Sequence, residues 1–238
     1  MRKLFAIATI ILSLFLLTGC NKTDAEKFKE EYESINNEEI YGNKARELNI
    51  DKDNNIVYKT ADEVVSMIEN KQTFVVYFGF AKCPWCRSVL PSLLDVSKDL
   101  GLEKLYYVDI SEIRDTLELN EDNEVVASKE GTEGYYKLLK LLESVLDDYK
   151  LENSDGEEVD AYEKRIYAPN VISIVKGEAK EKETGIIDSL TDPYMEITSQ
   201  MKEEIYNKFK CVIKCTLDAS KTCSIDKGCW GIYGTYKT

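Results

Sequence analysis

Short apolar runs and stretches with helical spacing alternate along the middle of the chain. Three runs of β-type residues predict strands at 56–58, 74–78 and 105–110. Thr60 and Glu63 have the spacing of a capping box, which predicts a helix between the first two strands. A second helix is expected after Pro84, with Pro91 inside its apolar pattern as a predicted kink. This β-α-β-α-β order predicts an α/β fold whose sheet carries helices on both faces.

The pattern is less regular towards the C-terminus. An amphipathic stretch predicts an inserted helical segment over about 111–149, which either shapes a binding surface or covers a sheet edge. A strand follows Pro169, and the second strand of its hairpin is expected near 182–187. Asp192 marks the predicted start of a long closing helix, and the acidic run around Asp155 predicts a solvated loop.

The first twenty residues have the organisation of an export signal. A positive pair at 2–3 precedes an apolar run at 4–16, and Cys20 follows small residues. This arrangement resembles a bacterial lipobox, which implies a signal peptide at 1–19 and lipidation of Cys20. The protein would then be lipid-anchored at the extracytoplasmic face of a bacterial membrane. A plain signal peptide or a membrane anchor is the alternative, but the apolar run is short for a spanning helix.

The acidic composition narrows the classes of partner. The formal net charge is −13, and loss of the leader with its two cations brings it to about −15. Such a charge argues against binding to nucleic acid and against electrostatic docking on anionic lipid. The apolar content of 43% and the 15 tyrosines indicate a folded core rather than a disordered chain.

Composition also suggests how the mature chain is divided. Residues 20–48 are rich in Lys, Glu and Asn, which predicts a lipid-anchored linker with one short helix, or else a disordered spacer. The folded domain is expected at 49–210, and a cysteine-rich extension at 211–238.

The candidate chemistry lies in the segment Cys83-Pro84-Trp85-Cys86, between a predicted strand and a predicted helix. A cysteine at the start of a helix has its thiolate stabilised by free backbone N–H groups, and a partner one turn later can close a disulfide with it. This context favours a redox dithiol over half of a zinc site or a structural bridge. Lys82 and Arg87 flank the motif and either stabilise the thiolate or are merely solvated.

Residues 77–87 around this motif resemble the active-site strand and turn of the thioredoxin superfamily. Residues 168–178 resemble the segment in which that family carries a cis-proline opposite its dithiol. The resemblance implies a thioredoxin-like three-layer α/β/α sandwich with a central mixed sheet. It makes Cys83 the nucleophile and Cys86 the resolving cysteine, with no metal and no cofactor beyond this pair. The implied substrate-binding residues are Trp85, Ala168 and Pro169.

Tyr77 marks a departure from thioredoxin itself, which has a buried aspartate at this position. The motif and the lipid leader are most similar to thioredoxin-like lipoproteins of the bacteriocin transport accessory type. This similarity implies a membrane-anchored thiol–disulfide oxidoreductase that acts on cysteines of exported proteins and exchanges electrons with a further partner. The alternative is a non-catalytic accessory or binding module for an exporter or a secreted peptide.

The C-terminal extension contains four more cysteines, an even number that predicts two structural disulfides in an exported protein. If the closing helix continues, the first two cysteines share one face and are poorly placed to bond each other. Pairing of these two with the tail cysteines is therefore preferred. Of the three possible connectivities the nested one is favoured, with Cys211 bonded to Cys229 and Cys215 to Cys223. A four-thiolate zinc site and a second redox pair are the alternatives.

Overall fold

The computed structural model describes residues 22–218 of the chain. Within this range five α-helices surround a five-stranded mixed sheet. The helices are α1 (Asp24–Glu33), α2 (Ala61–Glu69), α3 (Pro84–Asp99), α4 (Glu133–Leu142) and α5 (Ser199–Leu217). The small hairpins are formed by β1 (Glu39–Ile40) with β2 (Asn43–Lys44), β6 (Thr116–Leu119) with β7 (Val125–Lys129), and β8 (Asp147–Glu152) with β9 (Glu158–Arg165). The central strands are β3 (Ile56–Tyr58), β4 (Phe74–Gly79), β5 (Leu105–Asp109), β10 (Asn170–Val175) and β11 (Glu178–Glu183).

The central sheet has the strand order β11-β10-β4-β5-β3. Strand β5 runs parallel to both β4 and β3, whereas β10 is antiparallel to β4 and to β11. All six residues of β4 are buried, as expected for a strand at the centre of a sheet covered on both faces. The predicted β-α-β-α-β order is confirmed by β3, α2, β4, α3 and β5.

Alternate side chains of β4 enter two separate cores. Val75 and Tyr77 pack with α1, α3 and α5, whereas Val76 and Phe78 pack with α2 and α4 on the opposite face. This period of two follows from the pleat of the strand. The result is three layers, with helices on both faces of the mixed sheet.

Capping residues set the starts of the helices. The Glu63 N–H donates to Thr60 Oγ1 at 3.1 Å and the Thr60 N–H donates to Glu63 Oε2 at 2.8 Å, which confirms the predicted capping box of α2. The closing helix α5 begins after the N-cap Thr198 and not at Asp192. Asp192 instead accepts the Tyr194 N–H at 2.8 Å and forms a turn, because an Asp side chain competes for nearby backbone donors.

The segment expected to be a linker at 20–48 packs against the domain over its described part. Helix α1 buries Phe28 and Tyr32 completely, and the Phe28 ring lies 4.9 Å from that of Tyr107 in the sheet. The linker prediction and a domain start at 49 are thus corrected, and the short helix predicted within the linker is α1. Two aromatic residues one turn apart supply the buried face of α1, although the composition around them is polar.

The predicted helical insertion at 111–149 contains α4 and a short 3-10 helix (Glu143–Val145), together with β6, β7 and the start of β8. The β6–β7 hairpin and the β8–β9 hairpin are largely exposed, and the apolar alternation in their strands is short, as for Leu117 and Leu119 in β6 and for Tyr149 and Leu151 in β8. Residues 155–156, expected in a solvated loop, lie at the turn of the β8–β9 hairpin. Strand β11 occupies 178–183 rather than 182–187. It is an edge strand composed mainly of Lys and Glu, so its sequence has no apolar run that would indicate its position.

Several of the expected features lie outside the described residues, namely the leader at 1–19, Cys20, Cys223 and Cys229. Cys211 and Cys215 lie near the C-terminal end of α5, and Cys215 takes part in a disulfide bond. The pairing within the extension therefore stays a prediction. Across residues 22–218, each helix is too short or too polar to cross a bilayer.

Candidate functional site

Cys83 is the N-cap residue of α3, at the point where the chain leaves the buried strand β4. Its backbone is extended, and Pro84 occupies the first helical position, where a missing N–H group costs nothing. The Cys86 N–H donates to Cys83 Sγ at 3.1 Å. The sulfur therefore takes the place of a capping oxygen at the positive end of the helix dipole.

The start of β10 lies opposite this sulfur. The Ala168–Pro169 peptide bond is cis, in the geometry expected from the sequence. The Cys83 thiol donates to the Ala168 carbonyl at 3.4 Å. The structure thus brings together Cys83, Cys86, Ala168 and Pro169, with Trp85 half-buried beside them on the first turn of α3.

The two sulfurs differ in access to solvent. Cys83 keeps 4% of its surface exposed, whereas Cys86 is completely buried. Both are free thiols. A molecule approaching from solvent can reach the first sulfur only, and the second can react only with a group already bound to Cys83.

The electrostatic surroundings also separate the two thiols. Burial raises the pKa of Cys83, but hydrogen bonds from the Cys86 thiol and N–H, together with Arg114, outweigh it, so that its pKa lies below the ordinary value. Burial raises the pKa of Cys86 well above the ordinary value, and the hydrogen bond to Cys83 raises it further. Negative charge is therefore favoured on Cys83, while the proton stays on Cys86.

Arg114 is the cation that acts on Cys83, and local sequence reasoning did not identify it. It follows β5, and its guanidinium lies over the Phe80 ring at 5.1 Å from the ring centre. Of the two flanking cations, Lys82 is exposed and Arg87 is completely buried. No motif marks Arg114, because only the return of the chain through β5 brings it to the dithiol.

Arg87 binds backbone instead of the thiolate. Its guanidinium donates to the Tyr32 carbonyl at 2.8 Å, to the Arg46 carbonyl at 2.6 and 2.9 Å and to the Ala81 carbonyl at 3.2 Å. It also donates to Asn36 Oδ1 at 2.8 Å. These bonds attach the segment after α1 to the first turn of α3 and so fix the helix that carries the cysteines.

Tyr77 stands behind the dithiol, completely buried in β4. Its hydroxyl lies 3.1 Å from the hydroxyl of Tyr32. Burial raises the pKa of Cys86, and the Tyr77 hydroxyl lowers it by a smaller amount. A Cβ atom on Gly79 would stand 2.4 Å from the Tyr77 hydroxyl oxygen, so only glycine leaves room for this side chain. The sequence alone shows that Tyr77 departs from thioredoxin. It does not show that Tyr32 lies next to Tyr77, because Tyr32 falls in the predicted linker.

Among residues 22–218, no group of three or more His, Cys, Asp or Glu side chains is placed to hold a metal ion. No protein-family model matches the chain, and no curated protein is significantly similar to it. The functional assignment therefore rests on the chemistry of the dithiol and its surroundings.

Proposed function

We propose that this protein is a thioredoxin-like thiol–disulfide oxidoreductase that works through Cys83 and Cys86. The observation that carries the proposal is the position of Cys83 Sγ, which accepts the Cys86 N–H at 3.1 Å at the start of α3 and faces the Ala168 carbonyl. A low-pKa thiol with slight exposure beside a buried partner thiol is the arrangement that disulfide exchange requires.

The reaction proceeds in two exchanges. The Cys83 thiolate attacks one sulfur of a substrate disulfide, an S–S bond forms, and the other substrate sulfur leaves as a thiolate. Cys86 then loses its proton and attacks Cys83 Sγ, which releases the second substrate thiolate and leaves a Cys83–Cys86 disulfide. The substrate gains two electrons and the protein loses two. In the opposite direction the same steps oxidise a substrate dithiol.

Cysteines of exported proteins are the proposed substrates, since a lipid anchor at Cys20 would hold the dithiol outside the reducing cytosol. The Ala168 carbonyl and the half-buried Trp85 flank Cys83 and offer one backbone acceptor and one apolar surface to an extended segment of substrate. A separate electron-transfer partner would return the dithiol to its starting state.

The test is a redox titration of the full-length protein in glutathione buffers, followed by alkylation and mass mapping of each cysteine. We expect a two-electron transition confined to Cys83 and Cys86, and its loss in Cys83→Ser. A potential near about −120 mV would indicate disulfide donation, and one near about −270 mV would indicate reduction of substrates.

A pair that stays oxidised or reduced across the whole series would contradict the proposal. Full retention of the cellular function by Cys83→Ser would also contradict the proposal. The non-catalytic accessory module would then be the better explanation.

A further inference from the structure

The first turn of α3 is in contact with a segment that is remote in the sequence. The Ser88 hydroxyl lies 3.1 Å from the Pro84 carbonyl and 2.7 Å from the Pro193 carbonyl, within hydrogen-bond reach of both. Pro84 directly follows Cys83, so the turn that contains Pro193 packs beside the dithiol. Tyr194 is the next residue of this turn, and it is only half-buried. Burial raises the pKa of its hydroxyl, and nearby charges, that of Cys83 among them, raise it further.

The β1–β2 hairpin is joined to the same turn. The Tyr194 hydroxyl donates to the Ile40 carbonyl at 2.9 Å, and the Arg46 guanidinium donates to the Pro193 carbonyl at 3.0 Å. Arg87 of α3 donates in turn to the Arg46 carbonyl at 2.6 and 2.9 Å. These bonds fix the hairpin, the turn at Pro193 and the start of α3 relative to one another.

Tyr41 lies at the tip of this hairpin, directly after Ile40. Its side chain is 79% exposed, so it adds little to the core. Its backbone φ is 51° and that of Gly42 is 78°, so both central residues of the two-residue turn are left-handed. Asn and Gly are the residues that favour such a turn, whereas a bulky aromatic residue is an outlier there. An exposed ring held at an unfavourable backbone position beside a reactive thiol points to a role in binding.

The charges on this side of the dithiol restrict what can bind there. Glu39 on β1 and Asp192 before the turn at Pro193 are both exposed. Lys44 on β2 forms an ion pair with Glu47, so its charge is already balanced. Together with the formal net charge of −13, these carboxylates disfavour an acidic ligand.

We propose that Tyr41 and Tyr194 form an aromatic wall of the substrate site, which binds a large apolar or aromatic side chain close to the reacting cysteine of the substrate. The occupant is the substrate segment that is bonded to Cys83 in the mixed disulfide. Only 4% of the surface of Cys83 is exposed, so a segment attached to its sulfur has to lie against the residues around it. The inference rests on the proposed oxidoreductase function and deepens it by naming a class of substrate.

The test uses two pairs of short uncharged peptides, each with a single cysteine linked by a disulfide bond to coloured nitrothiobenzoate. The members of a pair differ in one residue, phenylalanine or alanine, which is placed before the cysteine in one pair and after it in the other. The Cys83 thiolate of the reduced full-length protein attacks the peptide sulfur and forms the S–S bond, and the aryl thiolate leaves with the electron pair. The rate of colour release is corrected for the rate in Cys83→Ser.

We expect the phenylalanine peptide to react about five- to tenfold faster than its alanine partner in at least one pair, as for one aromatic contact. Tyr41→Asn and Tyr194→Ala should each lower this ratio to below about two, because each removes a ring of the wall. Tyr41→Phe retains the ring and should keep the ratio. Tyr162→Asn is the matched control, since Tyr162 is 92% exposed with a φ of 57° but lies on β9.

Urea unfolding separates a loss of binding from a loss of structure. Tyr41→Asn should not lower the unfolding midpoint, because asparagine adopts a left-handed backbone more readily than tyrosine does. A lowered ratio at an unchanged midpoint therefore reports the missing ring.

Equal rates for both members of each pair in the unchanged protein would overturn the inference and leave the oxidoreductase function intact. A ratio that survives in Tyr41→Asn or in Tyr194→Ala, or that is lost equally in Tyr162→Asn, would overturn it in the same way. If no peptide released colour faster from the unchanged protein than from Cys83→Ser, the proposed function itself would be contradicted.

Discussion

Two cysteines separated by two residues acquire opposite properties because only one of them is a helix cap. Cys83 receives a backbone N–H at 3.1 Å and keeps a little exposure, whereas Cys86 lies one turn inside α3 without solvent. Their spacing in the sequence is sufficient to predict this asymmetry, since an N-cap side chain accepts a free N–H of the first turn, whereas the residue three positions on lies within the helix. Arg114 has no such local signal, and only the structure places it near the dithiol.

Replacing Arg114 by Ala should raise the pKa of Cys83, because a cation that favours the thiolate is removed. We expect the alkylation rate of Cys83 at neutral pH to fall about two- to fivefold, as for the loss of one partly screened charge. The measurement is the rate of iodoacetamide modification against pH, followed by mass spectrometry of the Cys83 peptide. The pH at which the modification rate reaches half of its maximum should be higher in Arg114→Ala than in the unchanged protein.

Lys82→Ala is the control for Arg114→Ala, because Lys82 is an exposed cation next to Cys83 in the sequence, whereas Arg114 is the cation that lowers the pKa of Cys83. Equal effects of the two replacements would mean that only the overall charge matters. The role given to Arg114 would then be wrong.

At the scale of elements, α1 is a structural part of the domain. Phe28 contacts Tyr32 at 4.4 Å and Tyr107 at 4.9 Å between ring centres, and Arg87 donates to the carbonyl of Tyr32. The helix thus covers one face of the sheet and packs behind the strand that leads to the dithiol.

Phe28→Ala should therefore destabilise the whole domain. Loss of a completely buried aromatic side chain is expected to lower the free energy of unfolding by about 3–5 kcal/mol. Urea denaturation followed by circular dichroism measures this change. Tyr41→Ala removes a side chain that is 79% exposed and should have almost no effect. Similar unfolding midpoints for Phe28→Ala and the unchanged protein would show that α1 does not contribute to the core.

The predictable elements are those whose burial is set by their own residues. Strands β4 and β5 are continuous apolar runs and α2 carries its own capping box, so the sequence predicted all three. Helix α1 was assigned to a linker because its burial depends on contacts with residues far along the chain, Arg87 and Tyr107. The position of the edge strand β11 differs from the prediction because its Lys and Glu residues form no apolar pattern that would indicate pairing with β10.

For the whole molecule, the packing of α1 shortens the proposed tether. Lipidated Cys20 would be separated from the first residue of α1, Asp24, by at most about 14 Å of extended chain. A flexible segment over 20–48 would have allowed a far larger separation. The proposed anchor would therefore hold the domain close to the membrane.

Because the sequence contains no histidine, few groups other than cysteine thiols can make the stability of the folded chain depend on pH near neutrality. Between about pH 6 and 8 no carboxyl, lysine or arginine of ordinary pKa titrates. Because the pKa of Cys83 is lowered on folding, the unfolded chain binds more protons than the folded chain between the lowered and the ordinary cysteine value. The stability of the reduced protein should therefore rise with pH towards the ordinary cysteine value and be lost as pH falls through the lowered one.

Cys86 does not oppose this rise, since its raised pKa reduces stability only above the ordinary cysteine value. The measurement is urea unfolding of the reduced full-length protein at several pH values, compared with Cys83→Ser under the same conditions. We expect the difference in unfolding free energy to grow by up to about 1.4 kcal/mol per pH unit between the lowered and the ordinary pKa. Other cysteines cancel in this difference, because both proteins contain them. A difference that stays constant up to the ordinary cysteine pKa would mean that Cys83 is an ordinary thiol, and the electrostatic basis of its nucleophilic role would be lost.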